Sequence, residues 1–389
     1  MRRSMQVKKI IIMMVTCTLL FTIFLPGQIR AQAIEDLTVS AANAVLMEQE
    51  SGRVLFDKDA HEKKRIASIT KIMTAILAVE SGKLDETVTV SNRAFGTEGS
   101  SLYLENGQKM KLEALVYGLM LRSGNDAAVA IAEHVGGSLE GFVMLMNQKA
   151  EEIGMKNTSF TNPHGLDNTE NHYSTAYDMA LLTRYAMNNS TFAKISSTKE
   201  YETPNPNESW NYVWRNKNKM LKLYKYSTGG KTGFTKLARR TLVSTAEKDG
   251  LALIAVTLNA GDDWNDHMSL FNAAFDEYTL TTVLKEGKLK KVKHSFYKNK
   301  VNIKEPFVYP LTKEESAELS IDLKLLKPQS DWSKRGNTPE IVGKAYIKLG
   351  EEIIGTRNIH YGATAEQKIS FISSWSTLFL MIIGLHQDG

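Results

Sequence analysis

Apolar positions along the chain follow two spacings, one typical of helices and one typical of strands. In the stretch 65–83 the apolar residues lie three and four apart, which predicts one buried helix. Further helical patterns, separated by Gly and Asn, cover 112–121, 126–134, 139–153, 175–188 and 266–278. Strand-like runs occur at 42–56, around a Glu-Ser-Gly turn, and at 242–246 and 251–258.

Strands at both ends of a helical stretch predict an α/β (α+β) domain over residues 34–283, with a helical insert on a mixed sheet. The composition changes after this domain, because residues 285–304 contain eight lysines and one acid. Short strand-like pieces, interrupted by prolines, continue from there and predict a small all-β domain over 284–362. The lysine run is typical of a solvated strand face, and contact with an anionic envelope is the alternative.

Both ends of the chain carry apolar segments. Residues 1–33 combine early basic residues, an uncharged apolar run and an Ala-Gln-Ala site, which is the layout of a secretory signal peptide. An uncleaved membrane anchor is the alternative. Residues 367–386 are apolar on one helical face and contain Trp375, which predicts an amphipathic helix lying on the outer leaflet of a membrane. The alternative is a terminal helix that packs on the protein core.

Removal of a signal peptide changes the interpretation of charge. The chain has a net charge of +5, but the first 33 residues carry five of its 48 Lys and Arg and no acid, which leaves 43 basic and 43 acidic residues. The sequence therefore gives no support to nucleic-acid binding. The single cysteine, Cys17, also lies in that segment, so thiol catalysis and cysteine-ligated zinc are excluded for an exported chain.

Three short motifs carry the candidate chemistry. Ser68 and Lys71 lie three residues apart, hence on one face of the predicted buried helix. A serine hydroxyl needs a base to remove its proton, and a lysine against an apolar wall and near a second cation can stay neutral and act as that base. The backbone N–H of Ser68, near a helix N-terminus, can help to stabilise an oxyanion. The other two motifs, 55 and 108 residues further on in turn, are Ser123-Gly124-Asn125 and Lys231-Thr232-Gly233.

S-x-x-K, S-D-N and K-T-G together form the motif set of penicillin-binding proteins and related β-lactamases. With these motifs, 162–166 (NPHGL) and 172–175 (HYST), the chain resembles the low-molecular-mass penicillin-binding proteins that act as D-alanyl-D-alanine carboxypeptidases, most closely those of spore-forming Gram-positive bacteria. The resemblance implies a penicillin-binding, serine β-lactamase-like fold, peptidoglycan stem peptides ending in D-Ala-D-Ala as substrate, β-lactams as covalent inhibitors, and a role in sporulation. No cofactor or metal is expected.

The resemblance also assigns roles. Ser123 would relay a proton to the leaving amine, Asn125 would hold the substrate amide, and Lys231 with Thr232 would bind the terminal carboxylate. It places the second oxyanion donor on the strand after Gly233. Two departures concern carboxylate recognition: Phe234 stands where some relatives have His, and 261–266 lacks the arginine that some relatives have, for which Arg239 and Arg240 are candidate replacements.

Several other interpretations stay open. Ser68 could be an N-cap, and the second motif could be a simple turn. His164 and His172 could form a Ser-His pair, although they are expected to be loop residues. An acidic cluster (Asp262, Asp263, Asp266 and His267) could bind a metal, but a surface loop is expected there.

Two rival functions share this fold. A class A β-lactamase needs a glutamate for deacylation, and residues 155–166 contain no acid. Since Gly124 also replaces the Asp of S-D-N, a stable acyl-enzyme with penicillin is expected. A non-catalytic peptidoglycan-binding or penicillin-sensing protein is the other rival.

Overall fold

The computed structural model describes residues 37–362, except 168, 291, 333, 335 and 336. Its helices are α1 Lys71–Glu80, α2 Asn92–Phe95, α3 Leu112–Arg122, α4 Asn125–Gly136, α5 Leu139–Ile153, α6 Ala176–Met187, α7 Ser190–Ser197, α8 Met220–Leu223 and α9 Asp263–Glu277. Two short 3-10 helices cover Ala67–Thr70 and Glu315–Ala317.

The strands are β1 Asn43–Glu48, β2 Val54–Lys58, β3 Thr87–Thr89, β4 Lys109–Lys111, β5 Glu200–Pro204, β6 Asn211–Arg215, β7 Ser227–Thr235, β8 Arg239–Lys248, β9 Leu251–Ala260, β10 Thr279–Leu284, β11 Gly287–Lys288, β12 Val301–Ile303, β13 Phe307–Leu311, β14 Leu319–Leu325, β15 Ile341–Leu349 and β16 Glu352–Tyr361.

The main sheet has the order β2-β1-β9-β8-β7. Every strand pair in it is antiparallel, whereas the sequence predicted a mixed sheet. The connections account for three of the four pairs: β7, β8 and β9 follow one another through short turns, and so do β1 and β2. A parallel pair would need a crossover of a dozen or more residues. The fourth pair, β1 with β9, is antiparallel although most of the domain lies between these strands in sequence.

Both faces of this sheet are covered. On one face, Val45 and Met47 of β1 join a core built with helices α1 and α3–α7. On the other, Ala44 and Leu46 join a second core with α9. Successive side chains of a strand point to opposite faces. This explains why β1 is buried along its whole length.

Helix α1 lies in the centre of the helical layer. Every residue from 71 to 79 is buried, including a lysine and a threonine. Thr74 Oγ1 donates to Pro163 O at 2.6 Å, so the NPHGL segment lies along this helix. The helix therefore holds its first residue, Lys71, inside the protein.

A second sheet, with the order β11-β12-β16-β15-β14, forms the C-terminal β region around its own core. It is linked to the main sheet by β10, which leaves α9 and pairs with β13. The side chain of Arg53, in the turn before β2, forms a salt bridge with Glu315 and donates to Pro310 O at 2.5 Å. These contacts join the turn of the first hairpin to the β region.

The expected signal peptide, 1–33, and amphipathic helix, 367–386, lie outside the described residues. Within the described part of the chain, no single helix is long and apolar enough to cross a bilayer. Helices α4 and α5 reach that length and hydropathy only as a pair, across a bend of 84°.

Candidate active site

Ser68 lies in the short 3-10 helix that leads into α1. Its side chain caps neither helix, so the N-cap interpretation is wrong. The preceding residue, Ala67, has a φ of +48°, a left-handed conformation that costs a non-glycine residue about 1–3 kcal/mol. The hydroxyl of Ser68 is half-buried and instead faces the amine of Lys71.

Lys71 Nζ has three neighbours. It donates to Asn125 Oδ1 at 2.7 Å and to His164 O at 2.7 Å, and it lies 3.0 Å from Ser68 Oγ. Asn125 is oriented by its own amide, since Nδ2 donates to Glu98 O at 2.6 Å. A neutral amine has two N–H groups and one lone pair. The two carbonyl oxygens accept both N–H groups, which leaves the lone pair for the Ser68 hydroxyl.

The surroundings of Lys71 favour this neutral form. The residue is fully buried, and burial lowers its pKa well below the usual range. The charges of Lys231 and Lys217 lower that pKa further, and Asp126 opposes them. The helix thus provides what general-base chemistry requires, an amine that loses its proton easily beside a hydroxyl.

Ser123 is the first residue beyond α3 and adopts a left-handed conformation, with φ +67°. It is buried, and its hydroxyl accepts a hydrogen bond from Lys231 Nζ at 3.1 Å. A Cβ on the next residue, Gly124, would lie 2.6 Å from Leu102 Cγ and 2.7 Å from Asp126 Oδ1. The close approach of this loop explains a glycine where S-D-N has Asp. The turn is thus part of the site.

Lys231 is also fully buried, and its Nζ donates to Thr232 O at 2.8 Å. Burial lowers the pKa of Lys231 to about 7, and the charge of Lys217 contributes to this shift. The amine therefore gives up its proton more easily than that of an exposed lysine. The site thus consists of two serine–lysine pairs, with Asn125 bound to the lysine of the first.

The third motif lies inside strand β7, which the sequence did not predict as a strand. A glycine-rich stretch has low strand propensity, so the pattern gave no signal there. A Cβ on Gly233 would lie 2.9 Å from Ser68 N and 2.4 Å from Thr241 Oγ1, so only glycine fits. This brings the edge strand against the backbone N–H of Ser68, and Phe234 follows in the same strand.

The two histidines are held in loop packing. His172 accepts from Thr161 N through Nδ1 at 3.1 Å and contacts Thr70 Oγ1 through Nε2 at 2.9 Å. His164 offers its backbone carbonyl to Lys71, and its ring accepts from Leu166 N at 3.2 Å. Burial, with nearby cations, lowers the pKa of His164 to about 3 and that of His172 to about 4. Both rings are neutral.

The acidic stretch before residue 267 opens helix α9 rather than an irregular loop. Asp266 accepts from Ser40 N and Ala41 N at 2.7 and 3.0 Å, and Asp263 forms an ion pair with Arg240. These carboxylates have structural partners. Among the described residues, no group of three His, Cys, Asp or Glu could hold a metal ion.

Sequence reasoning missed Lys217. Its backbone N–H donates to Leu121 O at 3.0 Å, which fixes it beside the end of α3, and its charge lowers the pKa of both active-site lysines. Nothing in the local sequence connects position 217 to the motifs, because the connection is made only by the tertiary fold.

This geometry agrees with the comparisons. Residues 30–262 match the Peptidase S11 family, described as D-alanyl-D-alanine carboxypeptidase, and residues 278–367 match the C-terminal domain of penicillin-binding protein 5. The chain belongs to the D-alanyl-D-alanine carboxypeptidase family. The recognition made from the motifs, and the expected class of serine hydrolase, are thereby confirmed.

Individual relatives support this assignment. The D-alanyl-D-alanine carboxypeptidase DacF of Bacillus subtilis is 37% identical over 276 residues, which is 67% of this chain and 70% of DacF. The crystal structure of DacD from Francisella tularensis has a TM-score of 0.66 and 26% identity, and covers 88% of this chain and 98% of its own. Penicillin-binding protein 5 from Haemophilus influenzae has a TM-score of 0.68 and 26% identity, and covers 84% and 98%. The expected fold class is confirmed.

Proposed function

We propose that this family member removes the terminal D-alanine from peptidoglycan stem pentapeptides through an acyl-enzyme on Ser68. The observation that carries the proposal is the arrangement around Lys71: its buried Nζ lies 3.0 Å from Ser68 Oγ and donates to two carbonyl oxygens, so that a neutral amine there would have its lone pair left for the hydroxyl. A ligand-binding protein would have no need of a buried lysine with a lowered pKa beside a serine hydroxyl.

The reaction follows from these positions. Lys71 takes the Ser68 hydroxyl proton as Oγ attacks the carbonyl carbon between the two D-alanines. The backbone N–H of Ser68 and that of the strand residue after Gly233 stabilise the oxyanion. Ser123, bound to Lys231, gives its proton to the leaving amine and is reprotonated through that lysine. D-alanine departs as its C–N bond breaks. Water then hydrolyses the ester: the proton held by Lys71 returns to Ser68 Oγ, and the proton that the water loses restores Lys231.

Recognition of the terminal carboxylate is assigned to Lys231 and Thr232, the side chains of β7 at the site. Arg240 is a poor substitute for the arginine of some relatives, because Asp263 already pairs with it. Arg239, exposed at the turn into β8, remains a candidate from the sequence alone.

Ser68→Ala tests the proposal. The variant should release no D-alanine from a pentapeptide ending in D-Ala-D-Ala and should form no covalent adduct with penicillin. Ser81→Ala is the matched control, because its hydroxyl lies at the other end of α1, where it donates to Ala78 O and accepts from Lys83 N. Release of D-alanine by Ser68→Ala at the wild-type rate would contradict the assigned nucleophile.

A β-lactamase would differ in its deacylation. The nearby carboxylate of Asp126 accepts hydrogen bonds from Leu102 N, Leu104 N and Ser101 Oγ, so it is committed to loop structure. We therefore expect a long-lived penicilloyl adduct on Ser68, visible by mass spectrometry. Fast multiple turnover of a chromogenic cephalosporin would favour a β-lactamase instead.

We also propose that the enzyme works outside the cell, at the outer face of the membrane, and takes part in sporulation. The proposed export rests on the signal-like residues 1–33, and the proposed membrane attachment rests on the apolar face of 367–386. The proposed role in sporulation rests on the resemblance alone.

A chain ending at Glu366 should stay acylatable and shift to the soluble fraction. Equal fractionation of intact and shortened chains would contradict the anchor, and an unchanged spore wall in a deletion strain would contradict the sporulation role.

A further inference from the structure

A polar cleft of about 450 Å³ lies away from the catalytic residues. One wall is the turn before β4, and the other is the loop of the β5–β6 hairpin. The side chains that line it are mostly amides and charged groups of both signs: Glu105, Asn106, Gln108, Lys109, Pro206 and Asn207. This volume falls within the usual range for a small-molecule site.

The two walls are tied together. Asn207 Nδ2 donates to Glu105 Oε2 at 2.7 Å, and Gln108 Nε2 donates to Tyr212 Oη at 3.2 Å. Gln108 Oε1 also accepts from the backbone N–H of Glu105 at 2.8 Å, within the same wall. These bonds fix the two walls relative to each other, so a ligand would not have to order them first.

An exposed aromatic ring stands in the same loop. Trp210 is 56% exposed, and it meets Tyr212 edge-on, with ring centroids 5.5 Å apart. Tyr212 in turn packs on Trp214, with centroids 5.4 Å apart. The row fixes the tryptophan while leaving much of it open to solvent. Trp210 does not line the cleft itself but is connected to it through Tyr212, whose hydroxyl accepts from Gln108. A flat apolar ring near a polar cleft suits a sugar, which presents an apolar C–H face and polar hydroxyls.

The distance to the active site agrees with the substrate. Asn125 N donates to Ser100 O at 2.7 Å, and the chain runs from there to Glu105 at the cleft. Five residues span at most about 17 Å. In a stem pentapeptide, four residues separate the sugar from the scissile bond, which is about 14 Å when extended. A sugar in the cleft and a peptide end at Ser68 can therefore belong to one molecule.

We propose that this cleft binds an N-acetylated sugar of the glycan that carries the stem peptide, with Trp210 stacked on the sugar ring. The inference rests on the proposed action on peptidoglycan stem peptides. The lining holds one acid and one base, Glu105 and Lys109, which fits an uncharged sugar better than a polyanion.

The test compares two substrates with the full-length enzyme: a disaccharide-pentapeptide and the same pentapeptide without sugar. Trp210→Ala should lower kcat/KM for the sugar-bearing substrate about 3- to 10-fold, the worth of one aromatic contact. It should leave the free pentapeptide and the rate of penicillin acylation unchanged. Trp210→Phe should retain most of the activity, and Phe95→Ala, which removes another exposed ring, is the control.

Direct binding separates the two proposals. A tetramer of N-acetylglucosamine should perturb tryptophan fluorescence of the wild type and bind more weakly to Trp210→Ala. No difference between the variants in this titration, or an equal loss of kcat/KM on both substrates, would overturn the sugar site. Failure of the wild type to cleave either pentapeptide would contradict the proposed function alone.

Discussion

Two parts of this molecule bury basic side chains, but only one of them provides a carboxylate partner. In the active site, Lys71 and Lys231 are fully buried, and among the described residues no carboxylate lies within ion-pair distance of either amine. At the junction with the β region, Arg53 is almost as buried but pairs with Glu315 and lies over the rings of Tyr278 and Tyr309, about 5 Å from each centroid.

The pKa shifts follow the partners. Burial lowers the pKa of Lys71 well below its usual range, and that of Lys231 to about 7. At the junction, burial opposes the charged forms, but the ion pair outweighs it: the pKa of Arg53 is raised and that of Glu315 is lowered. An unpaired buried cation gives a base at the expense of stability, whereas a paired one fixes the geometry of two regions.

The largest effect should come from making the active-site charge permanent. Lys71→Arg keeps a long cationic side chain, but guanidinium stays protonated and cannot accept the Ser68 proton. Acylation by penicillin should fall about 10²–10⁴-fold, the usual contribution of a positioned base. Stopped-flow or gel-based acylation rates would measure this, with the exposed Lys222→Arg as control. An unchanged rate would mean that another group is the base.

Removal of the junction cation should mainly affect stability. Arg53→Met leaves the carboxylate of Glu315 buried without its partner, which should cost about 3 kcal/mol in the free energy of unfolding. Urea unfolding would measure it, and the rate of penicillin acylation by the folded variant should stay near that of the wild type. A double variant, Arg53→Met with Glu315→Met, should recover part of the loss. A cost below about 0.5 kcal/mol would place this pair with ordinary surface ion pairs.

The sequence predicted one of these regions much better than the other. Ser68 and Lys71 could be placed together because helical spacing determines which side chains meet, and Nζ and Oγ lie 3.0 Å apart. The pairing of Arg53 with Glu315 joins residues 262 positions apart, and no periodic pattern relates such positions. Strand β7 escaped prediction because its glycines serve close approach to Ser68 rather than strand propensity.

Asn125 shows a limit of motif reasoning within the site itself. The resemblance assigns it to the substrate amide, yet in the structure its Oδ1 binds Lys71. The motif gives the residue type and order, but only the fold shows that this amide carbonyl accepts from Lys71 Nζ and orients the base.

The hydrogen bond between Asn125 and Lys71 makes it possible to give the active-site lysine a carboxylate partner, as Arg53 has in Glu315. Asn125→Asp puts a carboxylate beside Lys71, which should raise the pKa of the lysine. Acylation at pH 7 should then fall about tenfold for each unit by which the new pKa lies above 7. Because the neutral amine returns as the pH rises through the new pKa, the rate should recover in alkaline buffer. Asn125→Ala is the control, and any decrease in its acylation rate should not depend on pH. A pH-independent decrease in Asn125→Asp would contradict the idea that a carboxylate at this position raises the pKa of Lys71.

The smallest effect should come from the cation outside the motifs. Lys217 lowers the pKa of both active-site lysines through its charge, so Lys217→Gln should let both values rise. Because Lys217 is exposed, solvent screens its charge, and both increases should be small. Acylation requires neutral Lys71, so its rate falls as the pH falls through that pKa. The variant should therefore lose activity at a higher pH than the wild type, with about threefold slower acylation on the acid side.

Lys219→Gln, two residues away, should leave the pH profile of acylation unchanged. High salt should reduce the difference between Lys217→Gln and the wild type, because it screens an exposed charge. Coincident profiles for Lys217→Gln and the wild type at low salt would show that the charge of Lys217 does not contribute to the lowered pKa of Lys71.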